Sequence, residues 1–193
     1  SQMFPKKSYA LETQDSLGEN NNVPLLGMPQ ENDWILHGPY TDKTLMRNSI
    51  IFHLGQMVDR YAVRSRYCEL YINEDYRGAY MLMENIKRDD NRVDIANLLP
   101  GDTIGDELTG GYILKIDKFT GDFEGGWESP YNSVGGDDLY IQFHKPEIDD
   151  LNATQIEYIL NHVTEFEDAL VGEDFADSTL GYHQYIDVKS FID

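Results

Sequence analysis

Residues 38–86 read GPYTDKTLMRNSIIFHLGQMVDRYAVRSRYCELYINEDYRGAYMLMENI, and this stretch constrains the fold more than any other. Met46, Ile50, Leu54, Met57, Val58 and Tyr61 recur near helical spacing and form one apolar stripe. Thr41 or Asp42 is placed to cap the start of that helix, because a side-chain oxygen there can accept from an orphan backbone N–H. Arg47 and Asn48 stand in its first turns, beside the stripe. Two strands follow at residues 66–72 and 79–83, with Asn73, Asp75 and Gly78 supplying the turn chemistry between them. The sequence therefore demands a helix followed at once by a tight β-hairpin that ends in an acidic residue, Glu84.

A second helix is read near the end. Asn152 with Gln155 three residues on is a capping-box variant, and Ile156, Ile159, Leu160, Val163, Phe166 and Leu170 give a wide apolar face that Gly172 can stop. Breaks are expected at residues 18–24, at 99–105, and over a longer irregular region at 119–136. Strands in the first half, one helix among them and a late helix make the chain α+β. At 193 residues it is long enough for one domain with a core, and 40% apolar residues with 12% aromatics indicate a folded globule. No apolar run reaches the roughly 20 residues that a bilayer requires.

The net charge of −20 is unevenly spread. Residues 1–92 carry 11 Lys/Arg against 13 Asp/Glu, a balance of −2, whereas residues 93–193 carry 4 against 22, a balance of −18. The second half repels nucleic-acid phosphates, so no nucleic acid is expected as a partner. Only the first half offers a tolerable field to a phosphate-bearing ligand, although an acidic surface also serves solubility alone. Cys68, the sole cysteine, reads as a small packed residue within a strand.

Six segments in chain order resemble the CotH kinase family, which is named for a spore coat protein and related to atypical protein kinases. FPKKSYALE (residues 4–12) is similar to the family's strand that offers a lysine to nucleotide phosphates. Leu26-Gly27 with Asp33-Trp34-Ile35-Leu36 resembles its "lG…dWvL" stretch, the helix and hairpin described above follow in the same order, and GGYILKID (residues 110–117) is similar to its "GGYilEiD" strand. ATQIEYILNHVTEFEDAL and YIDVKSFID resemble the helix and entry segment that precede the catalytic half. The resemblance implies an atypical protein-kinase-like fold: an N-lobe, a hinge and the start of a C-lobe, with antiparallel sheet and packed helices. Residues 1–193 would form one such domain, incomplete at both ends, with 1–86 as the nucleotide-facing lobe and 87–193 as the hinge and beginning of the second lobe. Family members carry an Arg-Gly-Asn-Ser-type segment before the equivalent of Ser1. Asn-x-Asp and Trp-Asp-Phe-Asp motifs follow the equivalent of Asp193, and no catalytic residue is expected within this chain.

The same resemblance implies ATP with Mg or Mn as cofactor, and a protein substrate with a Ser or Thr acceptor at a cell surface, in a spore coat or outside the cell. Candidate nucleotide contacts are Lys6, Lys7, Arg47, Glu84 and Ile86. A strand lysine neutralises charge where phosphoryl transfer needs it. Alternation puts Lys7 on the face of Tyr9 and Leu11, pointing inward, and Lys6 with Ser8 and Ala10; the competing reading leaves both lysines solvated at a sheet edge. Arg47 can contact phosphate through its planar fork or hold the helix by a structural ion pair. In familiar kinases the helix glutamate pairs with the strand lysine, but the acids near this helix are only Asp42 and Asp59. Glu84, Asn85 and Ile86 would form the adenine-facing hinge, with the Glu84 side chain on ribose or on a basic partner such as Arg88. The alternative there is a solvated charge cluster.

Lys115 departs from the family, which commonly has glutamate, whereas Asp117 reads as the end of a buried strand. The five histidines show no paired spacing for zinc; Asp122 with Glu124, or Asp137 with Asp138, could take up calcium, but no EF-hand pattern supports it. A non-catalytic coat or surface module remains the alternative function. A carbohydrate-associated domain, suggested by Trp34, Trp127 and the many tyrosines, is the third reading.

Overall fold

The computed structural model describes residues 4–58, 61–117, 125–133 and 135–192. The chain divides into two compact units, one comprising residues 1–86 with 91–93 and the other residues 87–90 with 94–193. Both are built on antiparallel sheet, so the molecule is α+β.

The first unit holds a four-stranded sheet of β1 (Tyr9–Glu12), β2 (Asp33–His37), β3 (Ser65–Ile72) and β4 (Asp75–Glu84), in the order β1-β2-β4-β3. The β3–β4 hairpin turns on Asn73 and Glu74, both at positive φ (50° and 67°), as a two-residue turn matched to strand twist requires. Asp75 and Gly78, expected in the turn, lie within β4 instead. Gly78, at φ 90°, falls where the register shifts between Leu70 and Tyr71, so this glycine serves a bulge. One face of the sheet carries the core. Trp34 lies opposite Leu11 on one side and Glu84 on the other, and Leu36 lies opposite Leu82. Met28, Trp34 and Leu82 are buried together, with Leu11, Leu25, Leu36 and Cys68 packed around them. Residues 91–93 belong here because Arg92 stacks over the Trp34 ring at 5.2 Å and donates to the carbonyls of Asn85 and Asp33, each at 2.8 Å.

Helix α1 (Arg47–Met57) begins later than its capping candidates allow. Met46 occupies the cap position without a side-chain bond. Asp42 acts from the preceding loop, accepting from the Arg47 amide at 2.9 Å, while Thr41 takes no such role. Tyr61 lies beyond the helix and leaves the stripe. The remaining stripe residues are exposed, and the helix turns Asn48, Ser49, Phe52 and Gly55 inward.

The second unit holds β5 (Ile113–Ile116), β6 (Gly126–Asn132) and β7 (Asp138–Lys145) in the order β5-β7-β6. It also carries the short helix α2 (Gly105–Thr109), the long helix α3 (Ala153–Val171) and α4 (Val188–Ile192). Strand β6 corrects the irregular region expected over residues 119–136. Pro130 disguises it, since proline cannot donate to a ladder; the edge position of β6 removes that cost. Ser129 and Tyr131 tie β6 to α3 through hydroxyl bonds to Glu167 and Asp168, both at 2.6 Å. The capping box of α3 forms as the sequence demands, with Asn152 and Gln155 exchanging side-chain and backbone bonds at 3.0 and 3.1 Å. Fully buried Gln155 then donates to the carbonyls of Leu99 (2.7 Å) and Asp102 (3.1 Å), fastening the loop before α2. β5 is an edge strand whose last residue, Ile116, is exposed, so Asp117 does not close a buried strand.

Candidate functional site

All five candidate residues lie in the first unit. Lys6 and Lys7 precede β1, which starts at Tyr9, so strand alternation does not set their directions. The chain there is held from the side. Phe4 stacks on Tyr40 with ring centroids 5.3 Å apart, and the Tyr80 hydroxyl donates to the Lys7 carbonyl at 2.9 Å. Lys6, not Lys7, reaches across β4: its ammonium sits 4.7 Å from the Tyr80 ring centroid and donates to the Ala79 carbonyl. Gly38 permits this approach, because a Cβ there would lie 2.9 Å from the Lys7 carbonyl oxygen and 3.0 Å from Lys6 Cγ. The Gly38 amide donates to Ser8 Oγ at 3.0 Å, and the same hydroxyl lies 3.5 Å from His37 Nδ1. Burial, and then the Lys6 charge, hold the His37 imidazole below its ordinary pKa. Lys6 and His37 thus make a basic corner at one end of the sheet, beside the small residues Ser8 and Gly38.

Arg47 stands at the N-terminus of α1 with its side chain 79% exposed and Nε 3.6 Å from Asp42 Oδ1. The Thr44 hydroxyl first, and then the Arg47 amide, keep the Asp42 carboxyl below the usual carboxylate range. The ion pair forms, and the guanidinium still faces solvent.

Glu84 ends β4 on the core face, 1% exposed. Its basic partner is Arg64 and not Arg88. Arg64 Nε lies 3.4 Å from Oε1, and the Arg64 amide donates to Oε2 at 2.9 Å. The Tyr61 hydroxyl approaches Oε2 at 3.5 Å. Burial, with the Glu84 charge second, pushes the Tyr61 phenol up to about 12. Of the backbone groups expected at the hinge, the Glu84 amide already donates to Arg64 (3.1 Å) and the Asn85 carbonyl accepts from Arg92 (2.8 Å). Ile86 follows, 43% exposed. Lys6 and Glu84 therefore meet the same strand, the first at Ala79–Tyr80 and the second about 13 Å further along.

Arg64, Tyr61 and Arg92 organise this end of the sheet and were missed in sequence. A basic residue just before a strand gives no sign that it will fold onto the acid ending the next one. Among the described residues, no group of three or more His, Cys, Asp or Glu side chains is arranged to hold a metal. Asp59, Asp122 and Glu124 lie outside the described residues, and Asp137 occupies the β6–β7 turn, its amide bonded to Ser133 Oγ at 3.1 Å. Trp34 is core, which removes it as a sugar-stacking surface; half-buried Trp127 packs on Phe143 with centroids 5.5 Å apart.

Fold and site together define an α+β protein whose first unit pins a lysine over a β-sheet and closes the last strand with a buried ion pair. A family model described as CotH kinase protein matches residues 1–193, and the chain belongs to the CotH kinase family. No curated protein and no solved structure matches it significantly.

Proposed function

We propose that the first unit is the nucleotide-facing part of a CotH-type protein kinase, of atypical kinase-like fold, which transfers the γ-phosphate of ATP to Ser or Thr of secreted, coat or surface proteins. The observation that carries this reading is the placement of Lys6, in the family's lysine-bearing segment, fixed by Ala79 and Tyr80 beside His37. A triphosphate suits such a corner, because it supplies the negative charge that the Lys6 ammonium attracts, while the neutral form favoured at His37 can still share a hydrogen bond. Lys6, with Lys7 alongside, would hold the phosphates, and Arg47 would add its fork of donors from the start of α1. Glu84 supports the hinge from within, by fixing Arg64 and Tyr61, while the backbone near Ile86 faces adenine. Mg or Mn would enter with the triphosphate and neutralise its charge.

Lys115 favours a second reading, a non-catalytic surface or coat module. It replaces the glutamate common in the family and pairs in register with Gln142 of β7. Titrating ATP with Mg²⁺ or Mn²⁺ into the chain and its Lys6→Ala, Lys7→Ala and Arg47→Ala variants separates the two. Binding that Lys6→Ala weakens about tenfold or more supports the kinase reading, since a charged hydrogen bond is worth about 1.5–3 kcal/mol. No ATP binding by any form supports the module.

A further inference from the structure

We infer that the outer face of α1 is a self-association surface, on which two copies of this chain pack their helices antiparallel about a two-fold axis. Met46, Ile50, Ile51, Leu54, Met57 and Val58 are each between 44% and 68% exposed. At about 100° per residue they occupy one arc of about 140°. The half-buried positions, Asn48, Ser49, Phe52 and Gly55, lie on the opposite arc, so the apolar stripe points away from its own unit. Six large apolar groups at this exposure present roughly 600 Å², at the upper end of what a monomer leaves bare. Pairing two such faces removes at most about 1,200 Å² from water, the lower end of specific interfaces.

A second copy fits better than a charged partner, for three reasons. The stripe is self-complementary: a two-fold axis near its middle sets each copy's Ile50 on the other's Leu54, and each Met46 near the other's Val58. The helix has no basic residue in its last turn, and exposed Arg47 on the same face would reach the other copy's C-terminal carbonyls. The stripe also belongs to the half of the chain whose charge balance is only −2, so bringing two copies together there incurs little repulsion. The inference does not rest on nucleotide binding, and of its three grounds only the Arg47 contact would compete with the proposed phosphate contact.

Sedimentation equilibrium of the 193-residue chain, followed up to about 100 µM because self-association obeys mass action, tests it. The expected result is a concentration-dependent shift from 22.2 kDa to twice that mass, abolished in Ile50→Glu/Leu54→Glu and kept in Ile104→Glu, a change at an exposed apolar residue elsewhere. Circular dichroism checks that the variants stay folded. A chain that remains at 22.2 kDa throughout, or a dimer that survives the double substitution, overturns the inference.

Discussion

Arg64 holds Glu84 twice, through its backbone amide at 2.9 Å to one carboxylate oxygen and through Nε at 3.4 Å from the other. The two residues are joined a third time by the Glu84 amide, which donates to the Arg64 carbonyl at 3.1 Å. The end of β4 is therefore fixed at the residue that precedes β3, and the buried carboxylate depends on one guanidinium.

Removing that guanidinium leaves the Glu84 carboxyl 1% exposed and without its ion-pair partner. Arg64→Ala is expected to lower the unfolding free energy by about 3 kcal/mol, the low end for breaking a buried pair because Arg64 is partly solvated. Glu84→Gln in the Arg64→Ala background should recover part of the loss. Denaturant melts followed by Trp34 fluorescence, with Trp127→Phe to silence the second unit, measure both. Equal stability of Arg64→Ala and the parent chain would contradict this account.

Tyr61 and Tyr112 both have phenols pushed up to about 12, each chiefly by burial. Between about pH 10 and 12 the unfolded chain loses these protons while the folded chain keeps them, so stability falls as pH rises through that window. Spectrophotometric titration should show Tyr61 and Tyr112 among the last of the 13 tyrosines to ionise, with one late phenol fewer in Tyr61→Phe. If Tyr61 ionised with the exposed phenols, its packing against Glu84 would be misplaced.

His37 reports the Lys6 ammonium. Removing that charge in Lys6→Ala takes away one of the two causes that depress the imidazole, so its pKa should move up toward 6.5. Lys7→Ala should leave it nearly unchanged. Histidine resonances followed by NMR across neutral pH give both values, and a downward movement in Lys6→Ala would be incompatible with the geometry.

Asn152 ties α3 to the preceding loop, accepting from the Gln155 amide at 3.0 Å and donating to the Pro100 carbonyl at 2.9 Å. Asn152→Ala is expected to cost about 1 kcal/mol for the cap. Asn152→Ser, which keeps a capping oxygen, should cost less. A thermal melt with no difference between the two variants would remove the cap from the account.

The late helix was legible in the sequence because its signals are local: a capping pair three residues apart and an apolar face at helical spacing. The β3–β4 hairpin was legible for the same reason, although its turn lies at Asn73–Glu74 and Gly78 makes a bulge. What the sequence hid depends on distant partners. The edge position that tolerates Pro130 concealed β6, and periodicity marks the α1 stripe without saying which way it faces. The lysine-bearing segment was visible in FPKKSYALE, but only tertiary packing around Gly38 and Tyr80 selects Lys6 over Lys7 for the reach across β4. Glu84 stood out as the end of a strand, whereas Arg64, 20 residues earlier, carried no mark of being its partner.

The most direct measurement is a lysine footprint of the chain with and without ATP and Mg²⁺, read residue by residue by mass spectrometry after brief acetylation. The account predicts that saturating ATP protects Lys6 strongly and Lys7 to a lesser degree, while Lys115 and Lys145 in the second unit are unaffected. Lys6 acetylated at the same rate in the presence and absence of ATP would contradict it.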